Sequence, residues 1–284
     1  MKAIDLETQM TTEKGALFPK DFKAYFEDIF KVTIPYYQTE EEMIEGFRRA
    51  DIKAILVPPT AGESDFDKIR ETNDYVAKLK DSYPDVILGS WMMLNLQVSP
   101  DKWLEELERC IKDLGFFGFF HFGASTGIPA NDERLRPFCE VCTKHKVPIK
   151  VTVGHTALGA GMQGGMGIRL KTERPIPYID DLAVDFPNLT IIAAHLPWPF
   201  HNEMCSVLLH KANVYNELHG WSPKYFPQEL KREINGRLKH KFMFGSDWPF
   251  FSIERLFQDW EGEGYKPEVL AHVYRKNAER VFGI

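Results

Sequence analysis

The sequence is sparing with cysteine, has no long apolar run and carries no excess of positive charge, and each shortage removes a class of protein. Four cysteines in 284 residues do not make a disulfide scaffold. Two of them, Cys139 and Cys142, form a C-x-x-C, but it falls in the helix-like segment ERLRPFCEVCTKHK with no second pair. Packing is therefore expected of them, rather than redox or zinc chemistry. The longest apolar stretches, such as Gly115 to Phe122, are too short to span a bilayer. No basic segment followed by an apolar one opens the chain, so a cytoplasmic location is expected. The formal charge of −6 is spread without runs, which argues against a nucleic acid or an anionic membrane as partner and leaves a small molecule. Repeats, linkers and low-complexity tracts are lacking too, and the length suits one domain over residues 1–284.

What is present is alternation. Strand-like runs recur at Lys2 to Leu6, Ile52 to Pro58, Val86 to Leu94, Gly115 to Phe122, Pro148 to Gly154, Thr190 to His195, Val214 to Leu218 and Phe242 to Ser246. Helix-like stretches separate them. Glu40 to Ala50 opens with Thr39 and carries Glu42 three residues on, the spacing of a capping box. Phe66 to Ser82 follows, and then a helix from Ser99-Pro100 to Leu114, with the serine as N-cap and the proline at the first helical position. Asp132 to Lys146, Pro177 to Asp185, Pro199 to Lys211, Pro227 to Leu238 and Pro267 to Val281 complete the set. Eight strands alternating with helices predict an α/β fold of the (β/α)8 TIM-barrel type. A doubly wound sheet would want a glycine-rich phosphate loop after strand one, and Glu7-Thr8-Gln9 offers none. Residues 153 to 170 hold six glycines directly after strand five, which reads as a lid or binding loop rather than a plain connector.

Polar residues at the C-terminal ends of barrel strands face the catalytic mouth. Strand one delivers Glu7 and Gln9, side by side on one face. Strand five delivers Thr152 and, just beyond it, His155; strand six His195; strand seven Glu217 and His219; strand eight Asp247. His195 and Asp247 each end an apolar run and are closely followed by proline. A histidine there can move protons or hold a metal. An aspartate there can ligate a metal or deprotonate water. Their bland alternative is to cap neighbouring backbone amides. Glu7 suits a hard metal or a general base, whereas Gln9 is a weak ligand and a good donor to a substrate oxygen. His121, in a phenylalanine-rich strand, is expected to be packed, and His145, His201 and His210 fall in helices. The segment WSPKYFP could give a substrate aromatic walls through Trp221 and a cation, Lys224, or could mark a rigid turn.

Several segments together carry a family resemblance: the opening I-D, the run RPIPYIDDLAVDFPNLTIIAAH before a W-P pair, ANVY, WSPKYFP, FGSDWP and the closing NAERVFG. The chain resembles the amidohydrolase-2 branch of the amidohydrolase superfamily, the branch of aminocarboxymuconate-semialdehyde and γ-resorcylate decarboxylases. The likeness covers nearly the whole chain and is densest from Arg174 to Ile284. It implies a distorted TIM barrel with one divalent metal, held by H-x-H or E-x-H on strand one, a histidine on strand five and an aspartate on strand eight, with the strand-six histidine in acid-base chemistry. By position, His195 matches the strand-six histidine, Asp247 the strand-eight aspartate and Glu7 the first strand-one ligand. Gln9 and Thr152 stand where two histidines would, and strand four lacks the lysine of a carbamate-bridged pair of metals. Zinc generally wants three protein ligands or more. Either His155 or His195 completes a zinc or manganese site with Glu7 and Asp247, or the family position holds no tightly bound metal, which is the preferred expectation.

The leading expectation is a hydrolase acting on a small acidic or carbonyl-bearing substrate. Asp247 or Glu7 would activate water, His195 would protonate the leaving group, and Gln9, His155, Thr152, His219, Trp221 and Lys224 would bind substrate. The segments GHTALGAG and WSPKYFP are also similar to those of amidohydrolase-like enzymes that cleave β-ketoacyl-CoA thioesters by retro-Claisen hydrolysis. The alternatives are a metal-dependent decarboxylase of an aromatic or unsaturated acid, as the named relatives are, and a non-catalytic binding barrel. Relatives are often dimers, so a homodimer is expected.

Overall fold

Each apolar run pairs with the next one along the chain. The computed structural model describes residues 1–284 apart from 13, 14, 16–19, 36, 59, 61, 62 and 94–99. Among the described residues, β1 (Ala3–Gln9), β2 (Ile52–Val57), β3 (Ile87–Met93), β4 (Gly118–His121), β5 (Ile149–Thr152), β6 (Ile191–Ala194), β7 (Val214–Leu218) and β8 (Phe242–Phe244) form one parallel sheet in that order. The sheet closes where Thr8 bridges Trp248 in parallel and Gln9 N donates to Trp248 O at 2.9 Å. The expected (β/α)8 barrel is the one observed. No helix among the described residues is long and apolar enough to cross a membrane.

Parallel strands buried on both faces read as unbroken apolar runs, and two cores account for it here. Outside the barrel, Phe47, Trp103, Phe138 and Phe257 pack with the outward residues of the strands. Inside it, Ile4, Leu6, Ile55, Val57, Trp91, Phe120, Ile192 and Met243 fill the lower layers. The functional side chains stand on top of this plug.

Most helices start and stop where local chemistry says. Thr39 Oγ1 accepts from Glu42 N at 3.2 Å and caps the helix Glu40–Arg49, while the Glu42 carboxylate accepts from Gln38 N at 2.8 Å rather than from Thr39. Phe66–Ser82 is as the pattern predicts. Pro100 begins its helix, which ends at Lys112; Ser99, its expected cap, lies outside the described residues. Asp132 caps a single tight turn, Glu133–Leu135, before the helix proper, Arg136–His145. Among the described residues, two helices of ten residues or more, Lys20–Phe30 and Ile253–Gly262, and the single turn Gly123–Thr126 have no counterpart in the sequence pattern.

Two irregularities place the site. One extra residue of β1 is accommodated between Asp5 and Thr8 opposite β2, a bulge that re-aims the strand. Ile4 and Leu6 point into the barrel core, and past the bulge Glu7 and Gln9 face inward as well. The second is the loop after β5, where all six glycines from Gly154 to Gly167 have positive φ. The Tyr25 hydroxyl donates to Ala160 O, and a Cβ at Gly161 would meet Ile29 Cδ1 at 2.7 Å. The helix Lys20–Phe30 therefore seats this loop over the barrel.

Candidate active site

β5 has the sequence Ile-Lys-Val-Thr, and its outward residues Ile149 and Val151 join the outer core. Lys150 and Thr152 consequently point inward. The Lys150 ammonium is fully buried between the rings of Phe120 and Trp91, 4.9 and 5.3 Å from their centroids. It donates to Leu6 O at 2.7 Å, forms an ion pair with Glu7 and lies 3.2 Å from Glu217 Oε2. Burial alone would lower its pKa, but the carboxylates of Glu217 and Glu7 outweigh that and raise it. Lys150 is a fixed cation. Its signal in the sequence was parity: Thr152 faces the mouth, so the residue two earlier does too.

From this cation a chain of polar groups climbs to the mouth. Glu217 accepts from His219 Nδ1 at 2.6 and 2.8 Å, and burial raises its carboxyl pKa against the pull of Lys150. Gly245 makes room for it, since a Cβ there would overlap Glu217 Oε1 at 1.7 Å. Gln9 Nε2 donates to Glu7 Oε1 at 3.2 Å and also reaches Asp247, while Gln9 Oε1 is buried with no donor among the described residues. Below them, Asp5 Oδ1 accepts from Glu7 N at 3.1 Å and Ser246 N at 2.9 Å, tying β1 to the end of β8. Burial pushes Asp5 up to about 7.

At the mouth the structure brings His195, His219 and Asp247 together. The two imidazoles lie 4.0 Å apart between centroids, and the three residues offer donor atoms that all lie within 4.8 Å of one another. Burial, with Glu7 and Glu217 nearby, raises Asp247 well above the carboxylate range. Burial lowers both histidines, His219 to about 3. His195 and Asp247 hold φ values of +86° and +57°, a region that costs a residue with a Cβ about 1–3 kcal/mol and persists where surroundings over-determine it. Asn216 Nδ2 supplies part of that, donating to His195 O at 3.0 Å and Ala193 O at 2.8 Å. Gly220 supplies the rest: a Cβ there would sit 2.9 Å from His195 Cδ2.

The remaining expected site residues lie at the rim or away from it. His155 is half-buried, its N donates to Trp198 O at 2.7 Å, and its ring stands edge-on to Trp198 at 5.6 Å. It is close enough to His195 to be felt electrostatically. Trp221 adjoins Trp198 at 5.8 Å, so the two indoles form one wall. Lys224 is placed elsewhere. Its ammonium pairs with buried Asp259 at 2.5 Å, and Ser222 Oγ donates to the same carboxylate at 2.7 Å, which ties this loop to the helix Ile253–Gly262. Thr152 Oγ1 accepts from Gly123 N at 3.1 Å and lies beside Glu173. Glu173 was not legible in the sequence. It is buried with neither oxygen well hydrogen-bonded among the described residues, and burial pushes it up to about 7. His121 is packed, its Nε2 against Ile128 O at 2.8 Å and its pKa lowered by burial to about 4. Cys139 and Cys142 are buried in the outer core.

The family's metal position is not matched by these residues. Glu7 is held by the ammonium of Lys150, Gln9 brings an amide, and Thr152 turns its hydroxyl toward Gly123 and Glu173. No histidine of β1 or β5 is there to ligate.

Comparison with known proteins agrees with this geometry at the level of family and fold. The amidohydrolase family profile matches residues 25–284. Among solved structures, the chain is similar to an uncharacterised TIM-barrel protein from Bordetella bronchiseptica, with 19% identity, a TM-score of 0.75, and coverage of 100% of this chain and 99% of that one. It is similar to a 2,6-dihydroxybenzoate decarboxylase complexed with 2,6-dihydroxybenzoate, with 20% identity, a TM-score of 0.72, and coverage of 100% and 99%. It also resembles a dihydroxybenzoic acid decarboxylase from Polaromonas with bound manganese and the inhibitor 2-nitroresorcinol, with 18% identity, a TM-score of 0.71, and coverage of 99% and 96%. No curated protein matches the chain. With its profile match, its barrel and its strand-six histidine and strand-eight aspartate in place, the chain belongs to the amidohydrolase family, in the amidohydrolase-2 branch.

Proposed function

We propose that the chain is a decarboxylase of a small aromatic or unsaturated carboxylic acid. The observation that carries this reading is that two of the three carboxylates at the site are engaged by Lys150, while burial raises the third, Asp247, well above the carboxylate range and so favours its neutral form. Glu7 is paired with Lys150, and Glu217 is shared between Lys150 and His219. Decarboxylation needs no base for water. It needs donors that hold the carboxylate and a proton for the carbon that loses CO2. The imidazole of His195 lines the mouth as a donor, and the Trp198–Trp221 wall suits a flat substrate. His155, at the rim, is the proton carrier. As the carbon–carboxylate bond breaks, its electron pair takes a proton relayed through the His155 ring from solvent at the rim, and CO2 leaves. The two decarboxylases of similar fold act on hydroxylated benzoates, which recommends that substrate class.

One observation favours a second reading, hydrolysis of an activated carbonyl. A carboxylate on Nδ1 of His219 is the arrangement that makes an imidazole a base for water.

The test is incubation of the full chain, with zinc or manganese supplied, with carboxyl-13C-labelled dihydroxybenzoates and with β-ketoacyl thioesters. Release of labelled CO2 with formation of the arene supports decarboxylation. Thiol release without CO2 would replace it by hydrolysis. Ligand-induced thermal stabilisation without turnover of either set would make the chain a binding barrel.

A further inference from the structure

We propose that the chain carries a divalent-cation site built by His195, His219 and Asp247, at the ends of β6, β7 and β8, in place of the strand-one, strand-five and strand-eight set that its family implies. The inference concerns ion binding and stands whichever reaction the site performs.

Displacement begins with Lys150. Its ammonium already lies against Glu7 and Glu217, so a dication on Glu7 would meet a buried like charge. Glu7, Glu217 and His219 also bring donor atoms within 4.8 Å of one another, and the same ammonium excludes an ion there. The charge of Lys150 is felt at His195, His219 and Asp247 too, but its ammonium pairs with Glu7 and Glu217, and these three are the donor group that remains.

Four features point to an ion among those three. Glu217 accepts from His219 Nδ1, which leaves Nε2 as the free ring nitrogen. Metal-ligating histidines characteristically give their other nitrogen to a carboxylate in this way. Next is charge: Glu7, Glu217 and Asp247 lie close together with Lys150 as their one cation among the described residues, and a divalent ion would meet carboxylates that outnumber cations. Gln9 Oε1 is buried without a donor on an amide that reaches Asp247, an acceptor suited to a water on the ion. Last, glycine at 220 clears the space beside His195 Cδ2, and both His195 and Asp247 are held in positive-φ conformations that fix their direction. Two imidazoles and a carboxylate with a position left open suit zinc, and nitrogen–oxygen sets also accept manganese.

The test uses the full chain, stripped with chelator and dialysed, then titrated calorimetrically with Zn²⁺ and with Mn²⁺. One ion per chain is expected, and X-ray absorption of the zinc form should find two imidazoles in its first shell. Glu7→Gln should still bind one ion, Glu217→Gln should bind about 10–100-fold more weakly than the parent, and His219→Ala should not bind. Failure to bind either ion overturns the proposal, as does binding that is lost in Glu7→Gln and kept in His219→Ala. Should His219→Ala not fold, the parent's absorption spectrum decides, and fewer than two imidazoles overturns the proposal.

Discussion

Replacing Lys150 with methionine tests the central electrostatic claim. Methionine keeps the stem and its contacts with Trp91 and Phe120 but removes the charge that faces Glu7 and Glu217. Deleting one partner of a buried ion pair costs about 3–5 kcal/mol, because the other charge stays behind unpaired. Here two carboxylates and Leu6 O lose their donor, so the middle of that range, about 4 kcal/mol, is a fair expectation. The unfolding entropy of a chain of 284 residues is about 0.6 kcal/mol/K, and Tm should fall by about 7 °C. The sign with pH follows. Without Lys150 the folded-state pKa of Glu217, already raised by burial, rises further, so the folded variant binds a proton that the unfolded chain has released. Stability tied to a raised carboxyl is present at low pH and lost as pH rises, so the deficit should be largest at neutral pH and shrink in mild acid. Thermal unfolding at both pH values measures it, and Lys150→Met with Glu7→Gln should recover part of the loss. A Lys150→Met protein as stable as the parent at neutral pH would refute the buried counter-ion and, with it, the reason for moving the metal.

Other expectations follow from single contacts. Glu173, raised by burial from the usual 4.5 to about 7, contributes stability that is fully present below 4.5 and lost as pH rises through 7. Glu173→Gln should therefore gain on the parent across that window by about 3 kcal/mol in chemical denaturation, and a gap that is constant with pH would count against this. Gly220→Ala should lose about 1–2 kcal/mol to its positive φ and, by displacing His195, lose turnover and zinc binding; Gly264→Ala, with φ +75° and open space around it, should lose stability alone. Burial raises the thiols of Cys110, Cys139 and Cys142, so an aromatic disulfide reagent should modify none of them until the protein unfolds. Asp247→Asn should abolish turnover in either enzymatic reading with the circular dichroism spectrum unchanged, and a fully active variant would remove Asp247 from the site.

How much of the site was legible depended on where each residue stood. His195 and Asp247 could be read because an apolar run stops at each of them, and His219 and Glu217 because they continue the inward face of β7. Lys150 was missed although it lies in plain alternation with Thr152. A lone lysine in a strand is ordinarily taken to reach outward, and only the closed barrel, with Glu7 across its width, makes the inward direction favourable. Glu173 was missed for a similar reason: it belongs to the connection before a helix, and its burial comes from β5 and the Gly123 turn beneath it. Lys224 illustrates the reverse. A lysine among aromatics suggested a substrate cation, but its partner Asp259 sits 35 positions further on, and no local pattern announces it.

By itself the sequence determined the strand order, the barrel and the family, because each rests on local periodicity, short crossovers and motifs at strand ends. It also set which residue types reach the mouth. Tertiary structure alone decided what those residues do to one another. Charges from β1, β5 and β7 meet only when the sheet closes on itself, and in that low-dielectric interior the pairing of Glu7 with Lys150 is strong enough to set which nitrogen and oxygen atoms remain free for an ion or a substrate.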